Sequence, residues 1–268
     1  RRLSAFGGFS RYDGCGFNNR RTRMRIGVLT GGGDAPGLNP AIAGVVERAT
    51  KFGIKVIGLK RGWEAMCLED NSRHVVELGP EIIREYGRLG GSKLLCSRTN
   101  PVAKDRDRTD LVLKNIAKLK LDAIIAMGGE DTLGAAAELS RRGVNVVGIP
   151  KTIDRDLAGT EYTLGYDTAL NVITTSAERI AHSAESHQTI FFLEVMGRHA
   201  GWLALRGGEA AFADIILIPE HPFTVEKLAS VLREKLALSS SMGVEQEYKI
   251  IVVSEGAHIV GEEEVRKD

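Results

Sequence analysis

Four short polar runs hold the residue types in this chain that can do chemistry. The first is Thr30-Gly31-Gly32-Gly33-Asp34-Ala35-Pro36-Gly37-Leu38-Asn39. Adjacent glycines let backbone N–H groups approach an anion, and a helix starting after them would add positive potential. The run is neither G-x-G-x-x-G nor a Walker A loop, because no Gly-Lys-Ser/Thr follows, and alone it serves equally as a tight turn. The second run, Gly128-Gly129-Glu130-Asp131-Thr132-Leu133, places two acids after a glycine pair. A carboxylate beside phosphates usually holds a cation between them, and oxygen-ligated Mg²⁺ is the expected one. Asp131 or Thr132 as a helix N-cap would account for one of these residues but not for Glu130. The third run, Pro150-Lys151-Thr152-Ile153-Asp154-Arg155-Asp156, sets two carboxylates at i and i+2 between Lys151 and Arg155. One can act as general base to a hydroxyl while the other balances a metal or cation, although charged runs are more often solvated loops. In the fourth run, Glu194-Val195-Met196-Gly197-Arg198-His199-Ala200-Gly201-Trp202, Arg198 suits a phosphate or transition-state charge. His199 and Trp202 read as core or capping residues, and His182 and His187 lack the spacing of a zinc site.

These runs recur at one topological position, just after an apolar segment. Short, β-branched, continuous runs predict strands over Arg25–Thr30, Lys55–Leu59, Ala123–Met127, Asn145–Ile149, Ile190–Val195, Ile215–Ile218 and Lys249–Ser254. Helical patterns lie between them at Pro40–Lys51, Arg108–Leu119, Thr132–Arg142, Asp167–Ser183, Gly201–Ala211 and Val225–Leu238. The alternation predicts an α/β fold with mostly parallel sheets, right-handed crossovers and ligands at the carboxyl ends of the strands. No internal repeat of 20–50 residues is evident.

Composition narrows the field of partners. The 268 residues are 43% hydrophobic and 26% charged with a net charge of +1, which gives no sign of a nucleic-acid or membrane partner. No apolar run reaches the length of a membrane span. Cys15, Cys67 and Cys96 are too few and scattered for a disulfide framework or zinc site, which favours a reducing, cytoplasmic setting. Residues 1–23 hold six arginines against one acid, Asp13, while the remaining 245 carry 30 basic and 34 acidic side chains. This head has no apolar periodicity. Its Arg1-Arg2 pair lacks the apolar region of an export signal, and Arg1-Arg2-Leu3-Ser4 matches a basic kinase site too short to be specific. It reads as a disordered head, tag or non-native leader before Met24.

The segments GGGDAPGLN, GGEDTL, PKTIDRD, ESHQ, EVMGRHAGW and VSEGA resemble the 6-phosphofructokinase family in order and approximate spacing, from Met24 to about His258. The resemblance implies two α/β lobes with the active site in the cleft between them: a donor-binding lobe over 24–150 and a fructose 6-phosphate lobe over 151–268, the second incomplete. It implies Mg²⁺-dependent phosphoryl transfer to the 1-hydroxyl of fructose 6-phosphate. Asp154 resembles the general base, with Thr152 and Asp156 its neighbours at the phosphoryl and metal site. Gly33 and Arg98 resemble donor contacts; Met196, Gly197, Arg198 and Glu255 resemble sugar-side contacts, and Glu130 joins Asp156 as a metal ligand. Such transfer is mostly positioning and charge neutralisation, so Mg²⁺, arginine and one base suffice.

Asp131 and Lys151 resemble the pyrophosphate-dependent branch, where ATP-using members have glycines. A carboxylate at Asp131 would repel a nucleotide α-phosphate, and Lys151 supplies charge to a compact diphosphate. An ATP-dependent enzyme and a catalytically impaired sugar-phosphate-binding subunit are the alternatives, and a homodimer or homotetramer is expected. Arg155 stands in place of the family's usual asparagine, Glu130 of aspartate and Thr189 of arginine, and Ala43 and Glu47 replace basic residues of the effector site. The chain ends at Asp268, before the family's His-x-x-Arg-Gly-Gly stretch.

Overall fold

A computed structural model describes residues 24–241 and 247–261. The expected head, 1–23, lies outside the described residues.

The first sheet is built from β1 (Arg25–Thr30), β2 (Lys55–Leu59), β3 (Val75–Leu78), β4 (Ala123–Gly128), β5 (Val146–Thr152) and β6 (Leu164–Gly165). Their spatial order is β3-β2-β1-β4-β5-β6, parallel throughout except for the β2–β3 pair. Helices α1 (Leu38–Lys51), α2 (Glu81–Tyr86), α3 (Thr109–Leu119) and α4 (Glu130–Arg141) cover it. Successive strand residues point to opposite faces, so a run such as Ile26-Gly27-Val28-Leu29 feeds two cores. Ile26, Val28 and Met127 pack with Leu38, Ile42 and Val46 of α1 and Ile82 of α2. Leu29, Ile124 and Ala126 pack with Trp63, with Val112 of α3 and with Ala135 and Leu139 of α4.

The second sheet is β7 (Ile190–Val195), β9 (Lys249–Ser254) and β8 (Ile215–Leu217), in the order β7-β9-β8 and all parallel. It is accompanied by α5 (Tyr166–His187), α6 (Trp202–Ala210) and α7 (Val225–Ser241). Its core joins Val195 and Val252 to Tyr166 and Ile173 of α5 and to Leu203 and Ala204 of α6. Ile153, from the loop after β5, packs against this second core, which seats that loop between the two sheets.

The predicted α/β class, the seven strands and the six helices are present, most to within two residues at each end. The sequence pattern does not reveal β3, α2 or β6. A four-residue Val-Val-Glu-Leu strand, a six-residue helix and a two-residue strand are too short to establish a period. β5 runs through residue 150 and carries Lys151 and Thr152 on the first sheet, paired with β6.

Candidate active site

Five strand ends converge. The turns after β1, β4 and β5 from the first sheet meet the turns after β7 and β9 from the second around a cavity of about 550 Å³. Of the residues singled out from sequence, Gly33, Arg98, Glu130, Asp131, Lys151, Thr152, Asp154, Asp156, Met196, Arg198 and Glu255 all line it. Gly197 is not among the lining residues. Its backbone is left-handed (φ 141°), and it shapes the turn that presents its neighbours.

The glycines after β1 and β4 divide by purpose. A Cβ on Gly31 would run into the Thr132 side chain, and one on Gly128 would lie 2.6 Å from the Thr132 hydroxyl. Both are therefore set by close packing of α4 on the strand ends. Gly33 has open space where its Cβ would stand, on the cavity wall. Of the glycines at 31, 33 and 128, it is the one left for a ligand to approach. Thr132 is 4% exposed, and its carbonyl accepts the Trp63 indole N–H at 3.2 Å. Neither Asp131 nor Thr132 caps α4. The cap is Gly129, with no side-chain hydrogen bond, because Thr132 is used in packing and Asp131 is solvent-exposed. Glu130 and Asp131, in the first helical turn, sit where the helix dipole favours negative charge.

Lys151, 5% exposed, donates from Nζ to the Gly33 carbonyl at 2.7 Å and so ties β5 to the glycine turn. Burial holds its ammonium below the usual lysine range, against the opposing pull of Cys96, Asp154 and Asp34. Asp34 also lines the cavity. The sequence reading gave it no role, although it directly follows the three glycines. The Gly32 N–H donates to the Ser97 carbonyl at 2.8 Å, which brings the Arg98 segment to the same turn.

Asp154 is 8% exposed. Its backbone N–H donates to Thr152 Oγ1 at 3.1 Å, and Thr163 Oγ1 donates to the Thr152 carbonyl at 2.6 Å, so the loop is fixed on both sides of the threonine. Burial raises the Asp154 carboxyl above the ordinary aspartate range, the Asp156 charge adds to this, and Arg198 opposes it. Arg198 Nε lies 3.8 Å from Asp154 Oδ2, bridging from the second sheet to the first. The Arg198 turn is held by Glu255, whose Oε1 accepts the N–H groups of Gly197 at 3.0 Å and Arg198 at 2.8 Å.

Six carboxylates, Asp34, Glu130, Asp131, Asp154, Asp156 and Glu255, share the cavity with three cations, Arg98, Lys151 and Arg198. A phosphorylated ligand entering this excess of negative charge requires a counter-cation. The donor set suits Mg²⁺, which binds through one or two carboxylates and completes its shell with water and ligand phosphates. Among the described residues, no group of three or more His, Cys, Asp or Glu side chains is arranged to hold a metal by itself. Nor is any described helix long and apolar enough to cross a membrane.

Comparison with known proteins places this geometry. The chain is 46% identical over 240 residues to the pyrophosphate--fructose 6-phosphate 1-phosphotransferase of Dictyoglomus thermophilum, covering 90% of this chain and 66% of that protein. It is 41% identical over 247 residues to the ATP-dependent 6-phosphofructokinase of Chloroflexus aggregans, covering 91% and 68%. It therefore spans about two thirds of the length of the curated relatives it matches. Its fold superposes on a phosphofructokinase of Pichia pastoris with a TM-score of 0.79 at 26% identity, over 89% of this chain and 27% of that one. Residues 25–267 match the family described as Phosphofructokinase, and with the strand-end cavity and its charged turns this settles the assignment: the chain belongs to the phosphofructokinase family.

Proposed function

We propose that this protein transfers a phosphoryl group from pyrophosphate to the 1-hydroxyl of fructose 6-phosphate, giving fructose 1,6-bisphosphate and releasing orthophosphate, with Mg²⁺. The observation that carries this reading is the placement of Asp154. It is a buried carboxylate held between the glycine turns of one sheet and the Arg198 turn of the other. A donor on the glycine side and a sugar phosphate on the Arg198 side would meet at this residue.

Asp154 takes the proton from the attacking hydroxyl, and a carboxyl raised above the usual range is better matched to that task than an ordinary aspartate. Thr152 fixes the base through the hydrogen bond from the Asp154 N–H. Arg198 faces the transferring group and the sugar; Met196 and Glu255 line the sugar side, with Gly197 shaping the turn. On the donor side, Gly33 leaves room for phosphate oxygens, while Arg98 and Lys151 neutralise them. Glu130 and Asp156 would hold Mg²⁺, which when bound offsets the negative charge of the phosphates. Activity abolished by excess chelator and restored by Mg²⁺ is the expected result; full activity in chelator removes both residues from this role.

Pyrophosphate is the donor because Asp131, exposed on the cavity wall, sets a fixed negative charge beside the phosphate path, where a nucleotide α-phosphate would be repelled. ATP is the second reading, favoured by relatives of nearly equal identity that are named ATP-dependent. Coupled assays with each donor on one preparation decide the matter: turnover at least tenfold faster with pyrophosphate is expected, and faster turnover with ATP reverses the assignment. The same reading makes the enzyme a cytoplasmic homo-oligomer. Ile190 and Phe192, exposed and two residues apart on β7, offer apolar surface for self-association, which sedimentation at several concentrations tests.

A further inference from the structure

Arg155 stands between two carboxylates that line the cavity, yet its own side chain takes no place there. Its backbone is left-handed (φ 57°), a conformation that disfavours any residue carrying a β-carbon and persists only when the surroundings enforce it. Those surroundings lie behind the loop. Arg155 Nε donates to the Glu161 carbonyl at 3.2 Å. The guanidinium stands 4.7 Å from the centroid of the Trp202 ring and 5.5 Å from that of Tyr166. Tyr166 is buried at the start of α5, and Trp202, 38% exposed, begins α6. Among the described residues, no carboxylate lies within ion-pairing distance of Arg155, so the aromatic faces are its electrostatic partners.

Residues 196–202 are thus gripped twice by consecutive residues of the other loop: Arg198 meets Asp154 inside the cavity, and Trp202 meets Arg155 behind it. The Arg198 side chain is 65% exposed, and an ion pair that open to water holds little by itself. Glu255 fixes the turn within the second sheet, and the two contacts across the sheets together fix its angle to the Asp154 loop. We infer that Arg155 is a positioning residue, whose stack on Trp202 docks the Arg198 turn against the Asp154 loop and so sets the alignment of base and arginine. The inference rests on the reaction proposed above.

Three substitutions test it. Arg155→Gly accepts the left-handed backbone without steric cost and removes only the side chain. Arg155→Lys keeps a cation over the ring, and Trp202→Leu keeps apolar bulk without the aromatic face. Trp63 is 1% exposed, so acrylamide quenching of tryptophan fluorescence reads Trp202 without any turnover. Arg155→Gly should raise the quenching constant and lower kcat by about 2–30-fold, the range to which an arginine–aromatic stack converts. The KM for the phosphate donor and the thermal midpoint should stay near those of the parent. Arg155→Lys should recover most of both losses, and Arg155→Gly combined with Trp202→Leu should cost no more than the worse single change. Parental quenching and kcat in Arg155→Gly overturn the inference, as do losses that multiply in the double variant. A parent protein inactive with both donors removes the reaction, and the quenching arm then decides alone: a rise supports the stack and no rise overturns it.

Discussion

Asp154 carries opposite demands from folding and from chemistry. Burial and the neighbouring Asp156 raise its carboxyl above the ordinary aspartate range. The folded protein therefore binds that proton more tightly than the unfolded chain does. The resulting stabilisation is fully present below the unfolded pKa and is lost as pH rises through the folded one. At neutral pH the ionised side chain is a liability to the fold that the proposed reaction needs. Asp154→Asn should accordingly lower kcat by about 10²–10⁴-fold, the loss expected for a general base, while raising the denaturant midpoint at pH 7 in metal-free buffer. The stability gain should fade as the pH approaches that of the free aspartate. A variant that is less stable at pH 7, or that turns over normally, contradicts this account. The parent's kcat/KM should fall on the acid side as pH drops through the raised value, because the base must be ionised to accept a proton. The residue type and its i, i+2 partner were legible in the sequence. The Arg198 contact was not, because it joins segments more than 40 residues apart on different sheets.

At the scale of elements, α4 explains why glycines that look alike do different things. Its first turn is pressed against the ends of β1 and β4 by Thr132, and the space this takes is the space a Cβ would need at Gly31 and Gly128. Gly31→Ala should cost about 1–3 kcal/mol of stability, as overpacking does, with any change in donor use following from misplacement of the turn. Gly33→Ala meets nothing within 4 Å and has no left-handed backbone to violate. It should leave the thermal midpoint within the small range of a surface change, about ±0.5 kcal/mol, and raise the donor KM instead. Equal destabilisation by both variants would show that the division is wrong. The sequence left the first run open between an anion cradle and a tight turn, since glycine spacing alone does not separate a helix pressed close from a ligand brought close. Long strands such as Arg25–Thr30 and Lys249–Ser254 were legible to the residue because they are continuous and apolar. The N-cap of α4 was not, because Thr132 is an equally good cap and packing residue until its side chain is seen packed against Gly31 and Gly128, the former 101 positions away.

Across the whole molecule, the cavity belongs to neither sheet, so a ligand that fills it links the two cores. Whatever binds the folded chain and not the unfolded one raises its stability, by about 2.7 kcal/mol when free ligand is a hundred times Kd. The midpoint shift then reads donor preference without requiring turnover, a useful separation for a chain that spans about two thirds of its relatives' length. With Mg²⁺ present, pyrophosphate should raise the thermal midpoint more than ATP at equal concentration. Asp131→Gly should reverse the order or erase it. Two like charges about 4 Å apart cost roughly 1 kcal/mol in water and about 4 kcal/mol at an effective dielectric of 20. Removing Asp131 should therefore improve ATP affinity by about 5–10³-fold. Lys151 lines the same cavity, and its Nζ is already engaged by the Gly33 carbonyl. Lys151→Gly should thus weaken pyrophosphate binding and loosen the glycine turn together, and its effect should not add to that of Asp131→Gly. If ATP stabilises the parent as strongly as pyrophosphate does, Asp131 does not discriminate between them, and the charge on the cavity wall serves the dipole of α4 alone.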